Sequence, residues 1–85
     1  MAASPQLRTL YDVQQLLEKY NILVHLGKRL WDIELMTIEL EHVYTAGLID
    51  VKIYVNARAV LNREREYELR TQKDKSKWSV NHHGR

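Results

Sequence analysis

Glu39 and His42 come closest, by type and spacing, to chemistry in this chain. On a helix, Glu-x-x-His presents a carboxylate and an imidazole on one face, the spacing that di-iron carboxylate proteins use. Those sites need two such motifs and two further inward glutamates. With one motif per chain, only a symmetric dimer would assemble the set, so a dimeric metal site at Glu39 and His42 is a remote reading. A surface histidine beside an interface is the plainer one. His82 and His83, with His25 or His42, form no preorganised metal site, because the pair sits in a polar tail and no second pair has suitable spacing. Cysteine is absent, which removes thiolate nucleophiles, disulfides and thiolate zinc sites together. Gly27, Gly47 and Gly84 lie too far apart for a phosphate-binding loop, and no Ser/His/Asp arrangement follows from the sequence. The expectation is a protein that is not an enzyme, with no metal, no cofactor and no small-molecule substrate.

The cations suggest a different chemistry. On a helix beginning near Val51, Lys52, Arg63 and Arg70 align on one side of the apolar face, and Arg58 and Arg65 on the other. Lys28 and Arg29 stand beside Trp31. Cations that track a phosphate backbone, with an aromatic for base stacking, are what single-stranded nucleic acid requires, and stacking is worth ~1–3 kcal/mol per base. Lys28, Arg29, Lys52, Arg58, Arg63 and Arg65 are thus candidate phosphate contacts for single-stranded RNA or DNA, with Trp31 and Tyr54 as stacking surfaces. The competing reading is a solvated helix face whose Lys and Arg stems cover core edges. Glu64, Glu66 and Glu68 interrupt the positive field and favour that reading when the residues are taken alone. Through Arg70 there are nine Lys or Arg against ten Asp or Glu; after it, four against one. The net charge of +2 therefore belongs to the tail. A body without net positive charge is not a strong duplex-DNA binder by charge alone.

The elements that position these residues follow from periodicity. Eighty-five residues, 45% of them hydrophobic, make one small domain. A core of that size rarely supplies more than ~3–5 kcal/mol, so oligomerisation gains weight where disulfides are absent. No apolar run approaches the ~18 residues of a membrane span. Residues 1–6 lack the basic-then-apolar order of a signal peptide, and the expected location is the cytoplasm. Residues 1–8 form a mobile leader. Thr9 reads as an N-cap with Asp12 completing a capping box. A helix over residues 10–20 places Leu10, Val13, Leu16, Leu17 and Tyr20 on one face, and Asn21 suits the left-handed helix end. Residues 22–26 form an extended, packed connector that ends at Gly27. A second helix covers residues 30–46; Gly47 is its C′ residue, Leu48 the accompanying apolar contact, and Asp50 the next N-cap. The third helix runs from Val51 to about Arg70, burying Ile53, Tyr54, Ala57, Val60 and Leu61. The fold class is all-α: a compact irregular three-helix bundle over residues 9–70, with an extended connector between the first two helices. A disordered basic tail follows over residues 71–85.

The second helix carries one apolar stripe more than a bundle needs. At ~100° per residue, Ile33, Met36, Leu40, Val43 and Tyr44 form the core side, and Trp31, Leu35, Ile38 and Ala46 fall nearly opposite. Trp31, Leu35, Ile38 and His42 are therefore candidate interface residues for a partner protein or a homodimer, with Trp31 as the aromatic anchor. Three covers are open for that stripe: the connector of residues 22–26, a second copy, or a stacked base beside Lys28 and Arg29.

The segments TLYDVQQLLEKYNILVHLGKRLWDIELMTIELEHVYTAGLID and VNARAVLNRERE together resemble the YqgQ-like family, small proteins of Gram-positive bacteria. The resemblance covers about residues 9–66. LYDVQQLL, LGKRLWDIELM and the AGLID turn carry it, and none is a catalytic signature. It implies a compact three-helix cytosolic domain without known enzymatic activity, for which single-stranded nucleic-acid binding has been suggested. The same resemblance implies an acidic residue where Lys28 stands, which would cap the second helix. Lys28 does not cap in that way and adds a cation beside Trp31.

Overall fold

The computed structural model describes residues 6–83, with side chains through residue 72. Three helices follow in chain order: α1 (Leu10–Glu18), α2 (Arg29–Thr45) and α3 (Val51–His83). The all-α three-helix fold is the one the periodicity predicts. α2 and α3 make the most extensive contact, and α1 touches both. The leader is described from Gln6 onward; the side chains from Lys73 onward lie outside the described residues, while the backbone continues α3 to His83, where the sequence reading expects a disordered tail from residue 71.

Each helix end is set by local chemistry. Thr9 has an extended backbone (φ −124°). Its Oγ1 accepts from the Asp12 amide at 3.1 Å, and Asp12 Oδ2 accepts from the Thr9 amide at 3.0 Å. The capping box is thus formed as the spacing predicts. α1 ends sooner than residue 20. Asn21 takes the left-handed conformation (φ 64°), the Ile22 amide donates to the Leu17 carbonyl and the Asn21 amide to Glu18. The same closure ends α2 at Gly47 (φ 80°), where the Leu48 amide donates to Val43 and the Gly47 amide to Tyr44. Both are Schellman motifs, in which the two residues after the helix satisfy its last carbonyls. Asp50 Oδ1 accepts from the Ile53 amide at 2.9 Å and starts α3. The turn between α2 and α3 is short, so the two helices lie antiparallel.

The core is a single cluster. Leu10, Val13, Leu16 and Leu17 of α1 meet Ile33, Met36, Leu40 and Val43 of α2 and Ala57, Val60 and Leu61 of α3. Val24 from the connector and Ile49 from the α2–α3 turn complete it. Tyr44, Ile53 and Tyr54 stand at its edge, half-buried rather than enclosed. Residues 22–25 alternate as an extended segment does, with Val24 inward and Leu23 and His25 outward, and the alternation stops at Leu26, which also faces solvent. Gln14 Nε2 donates to the Val24 carbonyl at 2.9 Å and fixes the connector against α1. Before α1, Asn56 clamps Leu7 by accepting from its amide at 2.8 Å and donating to its carbonyl at 3.0 Å. That contact joins residues 49 positions apart, and no local pattern announces it.

Candidate functional site

α2 and α3 run antiparallel in a fixed register, and this register decides which charged groups are free. Glu34 and Glu41 are seven residues apart on α2; Arg58 and Arg65 are seven apart on α3. In the antiparallel pair, Glu34 meets Arg65 at 2.6 Å and Glu41 meets Arg58 at 3.0 Å. The Glu34 carboxylate, by hydrogen bond and then by charge, raises the Arg65 pKa above its already high ordinary value. Arg58 Nη1 also donates to the Tyr54 hydroxyl at 2.8 Å, and that hydroxyl donates to Glu41 at 3.0 Å. Further along, Arg29 reaches across to Glu64 at 3.2 Å and Glu68 at 3.7 Å. The side chains of Glu64 and Glu68 are only 20% and 13% exposed, so α3 continues its contact with α2 through acidic residues where its apolar stripe stops. Arg63 donates to the Arg8 carbonyl and lies 3.8 Å from Glu64.

Four of the six cations assigned to phosphates from sequence, Arg29, Arg58, Arg63 and Arg65, are therefore held by carboxylates of the same chain. Lys28 and Lys52 have no carboxylate partner among the described residues. Tyr54 is stacked on Tyr44, ring centroids 4.1 Å apart and planes 11° from parallel, so one of its faces is already covered. The sequence placed Tyr44 on the core side and Tyr54 both on the buried face of the third helix and as a stacking surface; together they close the edge between α2 and α3. The Glu/Arg repeat on both helices was a signal of this register, since opposite charges spaced by seven residues on neighbouring antiparallel helices fall opposite one another.

Trp31 differs from these. It is 57% exposed, and Ile38, two turns on, is 52% exposed. The connector leaves both uncovered, so the simplest of the three covers is removed. Leu35, between them, is half-buried and packs toward the core, and His42 continues the line at the surface. Lys28 Nζ lies 5.3 Å from the centre of the Trp31 ring, a cation–π contact worth ~0.5–1 kcal/mol at an exposed site. At the end of the connector, the Leu26 amide donates to Asp32 Oδ1 at 2.6 Å, which brings exposed Leu26 to the first turns of α2. Trp31, Ile38 and His42 thus form one outward strip on the side of α2 away from the core, and half-buried Leu35 joins that strip to the core.

The remaining candidates are quickly placed. Glu39 Oε1 and His42 Nδ1 are 3.4 Å apart on the surface. Among the described residues no group of three or more His, Asp or Glu side chains is positioned to hold a metal ion. His82 and His83 carry side chains outside the described residues. A cleft of about 330 Å³ lies between α1 and the start of α3, lined by Leu7, Asp12, Leu16, Tyr20, Ile53 and Asn56 among others. Asp12 is engaged in the helix cap, Asn56 in the Leu7 clamp, and the Tyr20 hydroxyl on the Leu48 carbonyl at 3.2 Å. Three of its polar groups are thus engaged in holding the fold. No helix of the described residues is long and apolar enough to cross a membrane.

Comparison with known proteins bears on the whole arrangement rather than on one side chain. The family model described as YqgQ-like matches residues 7–67, which includes α1, α2, the Asn56 clamp and α3 through Tyr67. The "Uncharacterized protein YqgQ" of Bacillus subtilis (strain 168) is 40% identical over 60 residues, covering 71% of this chain and 84% of that protein. A match over that span, together with the three-helix fold, establishes that this chain belongs to the YqgQ-like family.

Proposed function

We propose that this chain is a non-enzymatic cytoplasmic binding module whose working surface is the Trp31/Leu35/Ile38/His42 strip of α2, and that its partner is a protein. The observation that carries this reading is the exposure of Trp31 (57%) and Ile38 (52%) on a helix whose other face is fully packed. Aromatic anchors of this kind dominate protein interfaces. The ion pairs across α2 and α3 support it further, because they engage Arg29, Arg58 and Arg65, three of the cations that a phosphate backbone needs.

A second reading, single-stranded RNA or DNA, is favoured by one observation, the Lys28 ammonium beside the exposed Trp31 ring. A base stacked on that ring with Lys28 on its phosphate is a small version of a nucleic-acid site. The two readings separate in a titration of labelled single-stranded oligonucleotides at low and moderate salt, with Lys28→Glu and Arg63→Glu beside the parent. The protein-partner reading expects weak binding with a shallow salt slope. A slope that reports several phosphates, lost in both charge reversals, overturns it in favour of nucleic acid. A homodimer is a distinct form of the same surface, and light scattering across a concentration series reads it directly.

A further inference from the structure

We draw no further inference here: the strongest candidate, the outward apolar face of α2 through Trp31 and Ile38, is unpartnered and nothing in the structure shows what covers it.

Discussion

At the scale of single residues, Asp12 and Gly47 show how little of this chain's local order is interchangeable. The Asp12 carboxylate accepts from the amides of Arg8 and Thr9, and these two bonds, in that order, hold its pKa below the ordinary aspartate range. A group whose folded pKa is depressed stabilises the fold above its unfolded pKa and loses that contribution as pH falls through the folded one. Asp12→Asn is therefore expected to lower the melting temperature at pH 7. The gap from the parent should close as pH drops below about 4, in thermal scans across that range. A gap that stays constant with pH would assign the effect to shape instead of charge. Gly47 sits at φ 80°, yet a Cβ placed there meets nothing within 4 Å. The cost of Gly47→Ala is consequently conformational, about 1–2 kcal/mol, and urea denaturation should show it as a lower midpoint with an unchanged m-value.

At the scale of elements, α2 is the helix with the least help at its start. Lys28 occupies its N-cap with extended backbone (φ −111°, ψ 123°), and no side chain caps the first amides. That backbone is the one an aspartate cap uses. Lys28→Asp is expected to stabilise the domain by roughly 0.5 kcal/mol, the gain of a cap (~1 kcal/mol) less the cation–π contact with Trp31. For a domain of this size that raises the melting temperature by roughly 2–4 °C. The same substitution separates the two functional readings, because it removes a phosphate contact and leaves the exposed Trp31 and Ile38 in place. The start, end and core face of each helix were readable in the sequence for one physical reason: caps, left-handed closures and apolar periods act within a single turn or two. Thr9 with Asp12, Asn21, Gly47 and Asp50 all act at that range. The connector was readable only in part. Its Val24 is buried as an extended packed segment requires, but whether Leu23 or Leu26 shields Trp31 depends on the direction in which that segment crosses the bundle.

At the scale of the whole molecule, contacts between distant residues decide the candidate site, and these were the part least readable in advance. A list of cations on a helix says nothing of which are already paired. Arg29 with Glu64, Glu34 with Arg65 and Glu41 with Arg58 join positions 17 to 35 residues apart, and only the antiparallel register of α2 and α3 brings them together. Exposed pairs of this kind contribute ~0–1 kcal/mol each, so their main consequence is the charge they remove from the surface. They also mark where the folded body closes. Among the described side chains of α3, Leu61 is the last buried apolar residue and Glu68 the last to bond α2, whereas the helix backbone continues to His83, beyond the end near Arg70 that periodicity predicts. A chain ending at Gln72 retains every buried residue and every ion pair described. It is expected to unfold in urea within about 0.5 kcal/mol of the full chain, with the same m-value, since the surface that unfolding exposes belongs to the body. A lower m-value in the shortened chain would show that the last residues bury surface against it. A shallower salt slope for oligonucleotides after the same truncation would place the residual phosphate affinity in the basic tail, leaving the outward strip of α2 to its protein partner.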